Sequence, residues 1–127
     1  MEYDRATGSP ADRRLAELIT VDGSVSVTDP VVMEVVAGAR SDERETDLRR
    51  LLLSFELLHF DAAVDFDAAA RIYRACRRAG VTPRGMLDCM IASVAHRHGA
   101  ALLASDADLN RIADVVGIEM DGASLLL

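Results

Sequence analysis

Apolar residues in this chain follow two spacings, and the switches between them mark out the elements. "SVSVT" (24–28) alternates valines with small polar residues, the period-2 signature of a strand. Asp29-Pro30 then pairs a capping residue with a proline suited to the first helical turn, and "PVVMEVVAGA" is apolar nearly all round, which predicts a buried helix ending near Gly38. Upstream, Ser9-Pro10 repeats the cap-plus-proline start, and Leu15, Leu18 and Ile19 predict a helix over Ala11–Ile19 that Gly23 interrupts. A helix capped by Asp42, with Glu45 three residues on, runs through "LRRLLLSF", and "ELLHF" (56–60) reads as a short strand. From Asp65 to Ala79, Phe66, Ala69, Ala70, Ile72, Tyr73 and Cys76 keep helical spacing up to Gly80. Met86–His98 is a further helix stopped by Gly99, "AALLAS" a strand, Leu109–Val116 a helix and "IEM" (118–120) a last strand. Strands alternating with helices predict an α/β fold with a parallel sheet covered on both faces.

Composition narrows the class. A chain of 127 residues, half of them apolar, is one domain with a real core. No apolar run approaches the ~20 residues of a membrane span, and the polar start "MEYDRATGSPADRR" lacks a signal-peptide core. The expectation is a cytoplasmic protein. Cys76 and Cys89 have no paired spacing and read as small buried hydrophobes, while His96 and His98, two apart on a helix, point to different faces. A net charge of −7 argues against indiscriminate nucleic-acid binding. All fourteen basic residues are arginine, which GC-rich coding explains in general and which leaves room for a local patch. Arg71, Arg74 and Arg78 share one helix face, either as a phosphate-binding row or as an ordinary solvated face.

Most of the acids sit at helix starts, where the macrodipole favours them; Asp42, Glu43, Glu45, Asp47, Asp61, Asp65 and Asp67 are of this kind. Three others stand apart. Glu34 is the one charge between Pro30 and Ala39, so it is paired, protonated or metal-bound, or else it lies on a narrow solvent stripe. Asp88 is in line with Ile91, Ala92 and Ala95, the core face of its helix, and is also a first-turn dipole partner. Asp106 and Asp108 follow "AALLAS", beyond the carboxyl end of a strand where open α/β sheets bind ligands, with Ser105 beside them. They serve equally as a turn and a helix cap. Together, carboxylates brought to one sheet edge from separate elements need a counter-ion, and oxygen-only ligands select Mg²⁺ or Mn²⁺.

With these residues placed, the chain resembles the PIN-domain ribonucleases, in particular VapC-type toxins of toxin–antitoxin pairs. The resemblance covers almost the whole chain in order: "RATGSPADRRLAELI", "TDPVVMEVVAGA" with Glu34, and "AARIYRACRRAGVTPRGMLDCMIASVAHRHGAALLASDADLNRIA" with Asp88, Asp106 and Asp108. Arg84, four residues before Asp88, matches a frequent family position. The resemblance implies a three-layer α/β/α domain around a mostly parallel sheet, a homodimer, a cognate antitoxin and an RNA substrate cut by metal-activated water to leave a 5′-phosphate. It also implies that Asp88 and Asp106 hold the metal and that Glu34 and Asp108 complete the acidic pocket, with Arg84 and Ser105 facing RNA; the row Arg71, Arg74 and Arg78 stays open between RNA phosphate contact and an ordinary solvated face.

One departure accompanies the match. Family members begin with a short apolar strand ending in a metal-binding aspartate, a partner of Asp88 at the ion, followed by Thr or Ser, ahead of the segment resembling "EYDRATGS"; Asp4 is not that aspartate. The expectation is therefore an N-terminally truncated PIN-like domain over 1–127, from a start codon assigned too late or from a shortened copy. Losing a central strand would exceed the usual ~5–15 kcal/mol stability margin. The alternative function is an impaired toxin that only dimerises or binds antitoxin. A haloacid-dehalogenase-like phosphatase, the other reading of a strand followed by "DAD", is excluded because only nineteen residues follow Asp108.

Overall fold

The computed structural model describes residues 18–21, 24–103 and 107–118, with side chains over 25–102 and 109–118. Its elements are β1 (Leu18–Val21), β2 (Ser24–Thr28), α1 (Asp29–Ala37), α2 (Asp42–Leu52), β3 (Glu56–Leu58), α3 (Ala62–Arg78), α4 (Met86–Arg97), β4 (Ala101–Leu103) and α5 (Ala107–Val116). The strands form one sheet in the order β3-β2-β1-β4. β2 and β3 pair in parallel, with Val27 opposite Leu57. β1 runs antiparallel to both neighbours, with Ile19 opposite Ser26 on one side and Leu102 on the other. Thus β2, β3 and β4 share a direction, and the fold is the α/β class that alternating elements predict.

β1 corrects the sequence reading. Leu18 and Ile19 were expected at the end of a helix and lie in a strand. The run Ile-Thr-Val is β-branched throughout, which favours extended backbone. Val21 pairs with Ser24, and the two residues between them, Asp22-Gly23, are a hairpin sequence. The rest of the expected Ala11–Ile19 helix, its Ser9-Pro10 start and the strand expected at Glu119–Met120 lie outside the described residues, while Ile118 itself is not in a strand.

The helices depart from expectation in smaller ways. α1 buries Pro30, Val31 and Val35, yet Met33 is 58% exposed, so it is a one-sided helix where a fully buried one was expected. α2 is capped by Ser41, whose Oγ accepts from the Arg44 N–H at 3.0 Å, rather than by Asp42. The serine has the extended backbone that a cap needs, and Asp42 is already helical. α3 begins three residues earlier than its periodicity suggests, because Asp61 caps it onto the Ala63 N–H at 3.0 Å.

α4 is the centre of the packing. It buries Asp88, Cys89 and the run Ile91–Ala95, more than one face, and it contacts α1, α3, α5 and β4. A helix covered on several sides needs small residues where neighbours approach, and Ala92, Ser93 and Ala95 supply them. The core continues through Val27, Leu48, Leu102, Leu109 and Ile112.

Candidate active site

Two of the four expected carboxylates have described side chains. Glu34 lies in the second turn of α1, half-buried on the flank of the Val31–Val35 stripe. Asp88 is in the first turn of α4 and only 5% exposed. Its helix begins at Gly85, which has no side chain to cap the free N–H groups there, so the carboxylate meets the positive end of the dipole. The helices bearing Glu34 and Asp88 pack against one another. Both residues are engaged in interactions within the fold.

Asp106 and Ser105 lie outside the described residues. Asp108 belongs to the first turn of α5, with its backbone alone described. Among the described residues, no three His, Cys, Asp or Glu side chains form a group able to hold a metal. The acidic set is carboxylate throughout, without thiol or imidazole, a donor chemistry that fits a hard divalent cation.

The expected arginines are all exposed. Arg71 is tied to Asp67 at 2.9 Å, one helical turn away. Arg74 and Arg78 follow on the same face, and Arg84 lies in the connection between α3 and α4.

The sequence reading missed a buried polar network at the far end of α4 from Asp88. Asp65, expected as a solvated first-turn acid, has no exposed surface. Its carboxylate accepts from Ser93 Oγ at 2.7 Å, the Asp61 N–H at 2.8 Å, Arg97 Nε at 3.1 Å and an Arg97 terminal nitrogen at 2.8 Å. That same terminal nitrogen donates to the His59 carbonyl at 2.9 Å. Burial pushes the Asp65 carboxyl up, but Arg97, Ser93 and the Asp61 N–H outweigh it and hold the group below its ordinary value. Asp29 adds to the clasp by accepting from the Phe60 N–H at 2.6 Å. The spacing carried part of the signal, for the burial and not for the partner: Asp65, Ala69, Ile72 and Cys76 recur at helical spacing, and all four are buried. Phe66, whose spacing suggests the same face, is 57% exposed and packs edge-on against Phe60, with ring centroids 4.8 Å apart.

Two cysteines complete the α3–α4 contact. Cys76 and Cys89 are free and fully buried. Burial pushes the Cys89 thiol up to about 12, with Cys76 and Asp88 adding to the effect. These are inert thiols, as their apolar contexts suggested. On β2, the buried Ser26 and Thr28 hydroxyls find no hydrogen-bond partner among the described residues.

Comparison with known proteins places this arrangement. The PIN domain family matches residues 4–115. The VapC ribonuclease Mb1587 of Mycobacterium bovis is 42% identical over 120 residues, covering 94% of this chain and 90% of the relative. Ribonuclease VapC11 of Mycobacterium tuberculosis, in strains CDC 1551 / Oshkosh and H37Rv, is similar to the same extent.

Proposed function

The chain belongs to the PIN-domain family, and from that membership we propose that it is a divalent-metal-dependent endoribonuclease, the toxin of a toxin–antitoxin pair. The observation that carries this reading is the 42% identity to VapC ribonucleases over nearly the full length of both chains. Asp88 and Asp106 hold Mg²⁺ or Mn²⁺, Glu34 and Asp108 complete the acidic pocket, and Arg71, Arg74, Arg78, Arg84 and Ser105 face the RNA. When bound, the ion activates water and offsets negative charge at the scissile phosphate. The chain's own contribution begins with Asp88. Its burial lowers the local dielectric and so strengthens its pull on a cation. Glu34 lies on a second helix that packs against the helix of Asp88, and on this reading the acidic pocket draws on separate elements rather than one loop. The toxin acts as a homodimer in the cytoplasm and is held inactive by its cognate antitoxin. Among the described residues no helix is long and apolar enough to cross a membrane.

The test is cleavage of labelled RNA with Mg²⁺ or Mn²⁺ present, comparing the chain with Asp88→Asn. We expect cutting that needs the metal and falls to background in the variant, while the metal-free melting temperature stays level or rises because a negative charge has been removed. Undiminished cleavage by Asp88→Asn refutes the assignment. A large fall in metal-free stability marks Asp88 as a structural ion-pair partner. Dimerisation and antitoxin binding without RNA cleavage under any metal establish a non-catalytic protein instead.

A further inference from the structure

Charge is unevenly distributed in this molecule. Residues 68–87, between Asp67 and Asp88, hold five arginines and no acid, in a chain of net charge −7. The fold gives that run a direction. Asp65 at the start of α3 bonds Ser93 and Arg97 towards the end of α4, so the two helices are antiparallel. The seven-residue connection 79–85 then brings the arginine-bearing end of α3 to the end of α4 that carries Asp88. The buried stripe Asp65, Ala69, Ile72 and Cys76 leaves Arg74 and Arg78 on the outer side of α3, about 6 Å apart along its axis at ~1.5 Å per residue. Arg71 is offset by Asp67, whereas Arg74, Arg77 and Arg78 form no ion pair with any described residue. The helix dipole accounts for basic residues in the last turn, Arg77 and Arg78; it does not account for Arg74.

We propose that Arg74, Arg78 and Arg84 form a phosphate track that leads an RNA backbone along α3 and round the α3–α4 connection to Asp88. The proposal rests on the ribonuclease reading and assigns where its substrate runs. Backbone contact is the mode this surface can offer. The protein has no tryptophan, two tyrosines and three phenylalanines, and Phe60 and Phe66 are packed on each other, so few rings are left to stack on bases.

The experiment measures binding of labelled RNA against salt, in an Asp88→Asn background of the full chain so that the strand is not cut. Arg74→Gln/Arg78→Gln is compared with Arg49→Gln/Arg50→Gln on α2, whose arginines face Glu45 at 2.8 Å and Asp47 at 3.9 Å. Both pairs change net charge equally, so the comparison isolates position. The track predicts that the α3 pair reduces the slope of log affinity against log salt by about 1.5, at ~0.7–0.9 for each phosphate no longer neutralised, and that the α2 pair leaves it unchanged. Equal reductions in both pairs show a field of net charge and overturn the track, as does no reduction in either. Abolished antitoxin binding with intact RNA binding reassigns the arginines to an acidic protein surface and also overturns it. Metal-dependent cleavage by the unsubstituted chain alongside unchanged slopes leaves the nuclease reading standing and removes the track alone. Neither binding nor cleavage by the unsubstituted chain removes both.

Discussion

The fold should respond sharply to loss of the Asp65 carboxylate, which has no surface in water and four hydrogen bonds from Ser93, Asp61 and Arg97. Asp65→Ala strands the Ser93 hydroxyl, itself 2% exposed, at a cost of about 1–3 kcal/mol. It also removes the partner of Arg97, but that side chain keeps 32% of its surface exposed and can turn outward. The total therefore falls near the low end of the ~3–5 kcal/mol typical of a broken buried pair, about 3 kcal/mol. With an unfolding entropy of ~2.1 cal/mol/K per residue, this lowers Tm by about 11 °C in a chain of 127 residues. Urea melts followed by circular dichroism measure the free-energy loss, and thermal melts the fall in Tm. Arg97→Met should cost more at neutral pH, because it leaves the carboxylate both buried and unpaired, and its deficit should shrink in acid as Asp65 takes up a proton. In the unsubstituted protein the sign is fixed by the depressed folded pKa. The stabilisation is fully present above the unfolded carboxylate range near ~3.9 and is lost as pH falls through the lower folded value. A loss below about 1 kcal/mol, with no change in the acid dependence, would refute the reasoning that this network fastens α3 to α4.

Further outcomes follow from single residues. Thr28→Val should leave stability unchanged or raise it by about 1 kcal/mol, since its buried hydroxyl has no partner among the described residues; a loss of that size in a denaturant melt would reveal one. Cys76 and Cys89, fully buried with raised pKa values, should resist Ellman's reagent in the native state and react on unfolding; rapid native labelling of either would contradict their burial.

The parts of this structure that the sequence made legible are those where local and long-range demands agree. The change from "SVSVT" to "DPVVMEVVA" is a change of period with a proline at the junction, and β2 and α1 meet there. α4 was readable because Asp88, Ile91, Ala92 and Ala95 share a face, and all four are buried. β1 was misread because a run as short as "LITV" satisfies either period. Its state is decided by pairing with residues far along the chain, such as Leu102. Asp65 was misread for a different reason. An acid in a first turn has a sufficient local explanation in the helix dipole, and nothing local reveals that Arg97, 32 residues on, arrives to meet it. Of the proposed acidic pocket, the sequence supplied the candidates and their chemistry, and the fold placed the helices of Glu34 and Asp88 in contact.

The central claim is that carboxylates from separate elements share one divalent ion. Titration of the full, RNA-free chain with Mn²⁺, following free ion by electron paramagnetic resonance, tests it without relying on turnover. The account predicts a Mn²⁺ site that Asp88→Asn and Asp106→Asn each abolish and that Glu34→Gln weakens, in variants whose circular dichroism is unchanged. Folded variants that bind Mn²⁺ as the parent does, or a folded parent that binds none, would contradict it.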